Sequence, residues 1–209
     1  MKILNLYAGI GGNRKLWHGH EITAVEIRLD LAAIYCAQFP QDEVITTDAH
    51  AYLLANYRRF DFIWTSPPCP SHSRARHWRS VENPEVMPLY PDLQLYEEII
   101  FLQHYYKGLF VAENVLPFYE PLVPPSVKLG RHLFWSNFGI RPAQFDEPDV
   151  EQFGINALQA FHGFDLTGYQ ISGRRDTPLR NCVPAQIGEY ILNCALGKVA
   201  SFSNQLTIF

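Results

Sequence analysis

The residues best equipped for chemistry in this chain are a cysteine set among prolines and three carboxylates, each of which ends a short apolar run. Cys69 lies in Ser66-Pro67-Pro68-Cys69-Pro70-Ser71-His72-Ser73, directly after the run Phe60-Asp61-Phe62-Ile63-Trp64. A thiolate is a strong nucleophile, and prolines, which fix φ, hold a loop in few conformations. Two local readings are open: an anchored nucleophile, or a small buried hydrophobe, as most free cysteines are. Glu113 follows Gly108-Leu109-Phe110-Val111-Ala112, where a carboxyl can give or take a proton. Glu26 and Asp48 end two earlier runs. A carboxylate at the first of these places can accept the two hydroxyls of a ribose. Equally, each can serve the start of the following helix, Glu26 through the macrodipole and Asp48 as its cap.

A glycine turn completes the set. Ile3 to Tyr7 reads as a buried strand that runs into Ala8-Gly9-Ile10-Gly11-Gly12. Glycines there let the backbone approach a ligand closely. Gly9 and Gly11 fit G-x-G, but Arg14 stands where a dinucleotide fingerprint has its third glycine, which weakens a nicotinamide or flavin reading. Two basic stretches, His72 to Arg79 and Gly173 to Arg180, are each readable as phosphate contacts or as solvated loops.

Alternating strands and helices must position these groups. Expected strands are Ile3–Tyr7, Glu21–Val25, Val44–Thr47, Phe60–Trp64 and Gly108–Ala112, with one more from about Arg131 to Phe138 at the far edge of the sheet. Helices are expected near Asn13–His18, over Asp30–Gln38, Ala49–Tyr57 and Leu93–Tyr106, and over Pro184–Leu196 with Gly197 as its cap. Residues 139 to about 173 have a weaker pattern, that of an appended lobe. This order predicts an α/β fold, doubly wound around a mostly parallel sheet, whose ligands sit beyond the carboxyl ends of the strands. The glycine turn, Glu26, Asp48, Cys69 and Glu113 all fall at such ends.

Composition narrows the classes. With 209 residues the chain suits one domain with a modest appendage. Its four cysteines, Cys36, Cys69, Cys182 and Cys194, form no Cys-x-x-Cys pair, so neither a zinc site nor a disulfide framework is written in them. No stretch approaches a membrane span, and the apolar start is broken by glycine too early for a signal peptide, so a soluble cytoplasmic protein is expected. A formal net charge of -4 leaves any nucleic-acid binding to local basic clusters.

Taken in order, Leu6-Tyr7-Ala8-Gly9-Ile10-Gly11-Gly12, Glu26, Pro67-Pro68-Cys69, Glu113-Asn114-Val115, Arg131-His132 and Arg180-Asn181-Cys182-Val183-Pro184 resemble the cytosine carbon-5 DNA methyltransferases. The resemblance spans nearly the whole chain. It implies an S-adenosylmethionine-dependent, Rossmann-like methyltransferase domain over residues 1–209, with 139–178 as a reduced target-recognition insertion. It further implies Cys69 as the nucleophile on carbon 6 of a flipped-out cytosine, Glu113 as the acid at ring nitrogen 3 and Arg131 as a cation near the exocyclic oxygen. S-adenosyl-L-methionine would contact Leu6, Tyr7, Ala8, Gly9, Gly11, Gly12, Glu26, Asp48, Pro67, Asn181 and Val183. The nucleic acid would meet Ser73, Arg74, Arg76, Asn114, Arg175 and Arg180. No metal is implied. The substrate implied is DNA, with RNA as the alternative. The shortened recognition region raises a further reading, a cofactor- or DNA-binding subunit that needs an accessory partner for sequence recognition. Three positions depart from the family pattern. Asn5 stands in place of an acidic residue, Pro70 in place of glutamine, and Arg131-His132 where a glutamine-arginine-arginine cluster is usual; which of these two takes the key place is open.

Overall fold

The computed structural model describes residues 1–147 and 152–199; residues 148–151 of the predicted insertion and the tail from residue 200 lie outside the described residues. Seven strands are described: β1 (Lys2–Leu6), β2 (Glu21–Val25), β3 (Glu43–Ile45), β4 (Phe62–Thr65), β5 (Leu109–Val115), β6 (Val127–Leu129) and β7 (His132–Ser136). The helices are α1 (Leu29–Gln38), α2 (Ala49–Asn56), α3 (Arg74–Glu82), α4 (Gln94–Tyr105), α5 (Ile155–His162), α6 (Thr177–Arg180) and α7 (Ala185–Ala195).

The strands form one sheet in the order β3-β2-β1-β4-β5-β7-β6. Pairings from β3 through to β5 are parallel, while β7 runs antiparallel to both β5 and β6. Near-continuous apolar sequence suits such strands because both faces are covered. In β1, Ile3 enters a core with Trp17, Trp64 and Ile187, while Leu4 and Leu6 enter the opposite one with Leu53, Ile63 and Leu102. Chain order reverses between β1 and β4, and such a reversal opens a crevice at the carboxyl ends of the two strands. The glycine turn and the cysteine loop leave the sheet there.

Four local expectations are corrected. Residues 13–18 form successive tight turns, Arg14 N donating to Gly11 O and Trp17 N to Arg14 O, rather than a helix. Six residues cannot sustain a helix alone, and Arg14 instead reaches sideways to Asp42. Residues 74–82, read as loop, are helical, with the Ser73 hydroxyl accepting from Arg76 N at the start. The strand expected at the far edge is β7, which lies inside; the edge is β6, too short at three residues to read from sequence. The second basic stretch ends in the short helix α6.

The carboxyl-terminal part closes over the same crevice. Leu158, Phe164, Leu166 and Leu179 share a core with Ala8, Ile10, Ala24 and Tyr35. α7 packs on the turn itself: a Cβ added at Gly188 would lie 2.1 Å from the Asn13 carbonyl oxygen. Because the obstacle is backbone, Gly188→Ala is expected to cost about 1–3 kcal/mol. Urea unfolding would show this as a lower midpoint at unchanged slope.

Candidate active site

At the end of β1 the chain turns through Tyr7 at φ +55°, Gly9 at +55° and Gly11 at +85°. The fully buried Asn5 holds this turn by pairing with Asn13, Asn13 Nδ2 donating to Asn5 Oδ1 at 2.9 Å and Asn5 Nδ2 returning at 3.4 Å. That exchange is what Asn5 does in place of the family's acid. Arg14 and Asp42 form a buried, two-pronged ion pair at 2.7 and 2.8 Å that ties the turn to the α1–β3 connection. A Cβ on Gly11 would strike the Phe39 ring at 2.4 Å, and one on Gly12 would meet Cys182 Cβ and the Val183 oxygen, both at 2.8 Å. At Gly9 nothing lies within 4 Å. The protein therefore packs two sides of the turn and leaves the third open to a ligand.

Glu26 follows β2 and supports the open side. Its Oε2 accepts from Gly9 N at 2.8 Å and its Oε1 from Arg28 N at 2.9 Å. Next to it Ile27 and Leu29 are 62% and 75% exposed, an apolar lip that the carboxylate drew attention away from in the sequence. Of the other expected cofactor residues, Leu6, Ala8 and Val183 commit their side chains to the core. Asn181 is exposed. Asp48 caps α2, accepting from Ala51 N at 2.8 Å.

Across the crevice β4 ends in the cysteine loop. Asn114 Nδ2 donates to the Pro67 carbonyl at 2.9 Å, joining the tip of β5 to the loop. The Cys69 carbonyl accepts from His72 N and Ser73 N, both at 3.0 Å, which closes the chain into α3. Cys69 is partly buried. Burial and then the Glu113 charge push its thiol up to about 11, against the opposing pull of Arg131.

Glu113 sits within β5, paired with Phe134 of β7, and Val115 pairs with His132. The strand continues past Glu113 because β7 hydrogen-bonds it beyond the end of β4. His132 Nε2 lies 3.9 Å from Glu113 Oε1, and His132 Nδ1 lies 3.5 Å from Glu147 Oε1. Glu147 Oε2 also accepts from Arg131 N at 3.1 Å. Arg131 Nη2 donates to the Arg180 carbonyl, while Arg131 Nε is buried without a hydrogen-bond partner among the described residues. Both members of the Arg131-His132 pair thus border the site, Arg131 through its charge on Cys69 and His132 through its approach to Glu113. His162 closes the region from α5. Burial first, then the charges of Arg131, Lys15 and His132, push it down to about 4, so it stands neutral at pH 7.

The expected substrate contacts divide into two groups. Ser73, Arg74 and Arg76 stand at the start of α3, next to the cysteine loop, with Arg74 Nε on the Pro117 carbonyl at 3.0 Å. Arg175 and Arg180 are held by bonds within the chain: Arg175, exposed, donates to the Leu166 carbonyl at 2.7 Å, and Arg180 to Asp176 at 2.7 Å and to the Phe153 carbonyl at 3.0 Å.

One buried cluster had no sequence signal. Glu98 of α4, fully buried, accepts from Tyr7 Oη and from Thr65 Oγ1, both at 2.5 Å, and lies 3.0 Å from His50 Nδ1. A single carboxyl therefore holds the strained Tyr7 at the end of β1 and the last residue of β4, the two strands that flank the crevice. Burial raises its pKa, while the hydrogen bonds from Thr65, Tyr7 and His50 pull it back. The folded protein thus holds this proton more tightly than the unfolded chain, and stability is lost as pH rises from the ordinary carboxyl range through the raised value, by up to about 1.4 kcal/mol per unit. Glu98→Gln, an uncharged isostere, is expected to remove that slope from urea unfolding measured between pH 4.5 and 7.

Comparisons with known proteins bear on the family and the fold. The profile of the family described as C-5 cytosine-specific DNA methylase matches residues 1–121. Among solved structures, the Entamoeba histolytica methyltransferase EhMeth aligns at a TM-score of 0.56 with 11% identity, over 96% of this chain and 99% of that one, a likeness of fold. The Spodoptera frugiperda DNMT2 structure is 25% identical over 55% of this chain and 35% of its own, at a TM-score of 0.37. A putative DNA modification methyltransferase from an Escherichia coli prophage is 20% identical over 57% of this chain and 33% of its own, at 0.38. A comparison with curated proteins returns no significant match. With its profile match covering more than half of the sequence, and with strands in methyltransferase order, the chain belongs to the C-5 cytosine-specific DNA methylase family.

Proposed function

We propose that this protein transfers a methyl group from S-adenosylmethionine to carbon 5 of cytosine in DNA. The observation that carries the reading is the placement of Cys69 at the end of β4, within the electrostatic reach of Glu113 and Arg131 and across the switch point from the glycine turn. The open face at Gly9, the Glu26 carboxylate and the Ile27 lip fit an adenosyl group: room for close backbone approach, an acceptor for ribose hydroxyls and an apolar surface for a base. When bound there, S-adenosylmethionine supplies an electrophilic methyl group on a sulfonium.

The chain's own residues do the remaining work. Cys69, as thiolate, adds to carbon 6 of the cytosine and makes carbon 5 nucleophilic. Glu113 protonates ring nitrogen 3 as negative charge builds on the ring. Arg131 provides a cation beside the exocyclic oxygen, and His132 borders Glu113. Asn114 holds the strand that carries the acid against the loop that carries the nucleophile. Loss of the carbon-5 proton then expels Cys69 and restores the ring. A cytosine stacked in a duplex cannot present carbon 6 to a thiolate, so the target must be flipped out or single-stranded.

The test is transfer of labelled methyl from S-adenosylmethionine to mixed-sequence DNA at low salt, run beside transfer RNA. Label in DNA supports the proposal. Label in transfer RNA alone reassigns the substrate, and cofactor binding by calorimetry with no transfer to either reassigns the chain as a binding subunit.

A further inference from the structure

Beside the cysteine loop lies a cleft of about 240 Å³, bordered by Pro70, Ser71, Arg76, His77, Ser80 and Phe118. One wall is a ring pair: His77 and Phe118 stack with centroids 4.1 Å apart and planes 3° from parallel. That wall is anchored, because Phe118 N donates to the His72 carbonyl at 3.1 Å and Ser73 bridges Pro117. Arg76 borders the cleft, its Nη2 donating to the Met87 carbonyl at 3.3 Å and its Nε buried without a hydrogen-bond partner among the described residues. The volume is below the range of about 300–1,000 Å³ of whole small-molecule sites, a space for one flat ring system.

Location decides which ring system. Ser71 is two residues from Cys69, so the cleft begins within about 7 Å of the nucleophile along the chain. A nucleotide next to a target cytosine is tethered to it by one backbone step. Charge agrees: the whole chain is formally -4, while α3 carries Arg74, Arg76 and Arg79 against Glu82 alone. Trp78 on the same helix is 61% exposed, and Tyr90 in the following loop 95%. Arginines interleaved with open aromatic rings suit a single strand, whose backbone needs cations and whose bases need ring faces.

We propose that this cleft receives the nucleotide adjacent to the target cytosine on the same strand, its base against the His77–Phe118 wall and its phosphate toward Arg76. The proposal rests on the cytosine-methyltransferase reading and adds to it a subsite that would give a one-base context preference.

The experiment uses the full chain and short oligonucleotides carrying one cytosine, with 2-aminopurine or an abasic residue on its 5′ or its 3′ side. Stacking is expected to quench 2-aminopurine on one side only. An abasic residue on that side is expected to weaken binding about 5- to 100-fold. Ser80→Trp, which fills the cleft, should remove both effects, with folding checked by urea unfolding; His77→Ala, which strips one ring from the wall, serves as the second variant. The subsite is overturned by equal quenching in both variants, by affinity indifferent to abasic residues on either side, or by no binding of the oligonucleotide. Because the readout is binding, loss of the subsite is distinguishable from loss of methyl transfer, which the labelled assay reports separately.

Discussion

A Glu113→Gln enzyme is expected to transfer methyl groups about 10²–10⁴-fold more slowly at pH 7 and to regain rate as the solution becomes more alkaline. The reason lies in how one proton is shared. With its thiol pushed up to about 11, Cys69 is protonated in the free protein at neutral pH, and only ~1 in 3,000 molecules carries the thiolate at pH 7.5. The productive state, thiolate with protonated Glu113, has the same number of protons as the resting state, thiol with ionised Glu113. Its population is therefore independent of pH wherever the pair holds one proton. The wild-type rate should therefore vary far less with pH than the Glu113→Gln rate. Without the carboxyl, the nucleophile can arise only by losing its proton to solvent, so the Glu113→Gln rate should climb about tenfold per unit below the thiol's pKa. That pKa should itself fall, since the Glu113 charge is one of the causes that raise it, and alkylation rates against pH would measure the fall. Parallel pH–rate profiles for the two enzymes would sink the shared-proton account.

Cys69→Ser is expected to lose at least about 10³-fold in transfer while still binding cofactor and oligonucleotide. A serine hydroxyl at neutral pH is a far weaker nucleophile than even a small fraction of thiolate, and among the described residues no histidine contributes to the shift of the Cys69 thiol. A second readout separates chemistry from folding. An oligonucleotide with 5-fluorocytosine has no carbon-5 proton to lose, so after methylation it should stay bonded to wild-type Cys69 through denaturing electrophoresis and run free with the serine variant. Transfer by Cys69→Ser within tenfold of wild type would remove Cys69 from the mechanism.

The sequence showed most plainly what the fold buries evenly. β2 and α7 fall within a residue or two of their expected bounds because their apolar residues mark a strand and an amphipathic face. α3 was missed because none of its residues is buried, so no period records it; its helicity rests on the Ser73 cap and on Pro117 and Phe118 packed beneath. The stretch after the glycine turn was misread because Trp17 and Arg14 follow tertiary partners rather than a local period. In the candidate site, Cys69, Glu113 and Glu26 stand out in the sequence since each follows an apolar run in a recognisable order. Glu98 with Tyr7 and Thr65, Asp42 with Arg14, and Glu147 with His132 join residues distant in the chain, and no local spacing encodes such pairs.

The Asn5–Asn13 exchange beneath the glycine turn has one more consequence. Amides neither gain nor lose protons across the working pH range, so this one tie beneath the glycine turn does not vary with acidity. The Glu98 carboxyl that holds Tyr7 at the start of the same turn does respond to it, because burial raises its pKa. One turn is thus held at its base by a contact that no change of pH touches and at its start by one whose contribution to stability falls as pH rises.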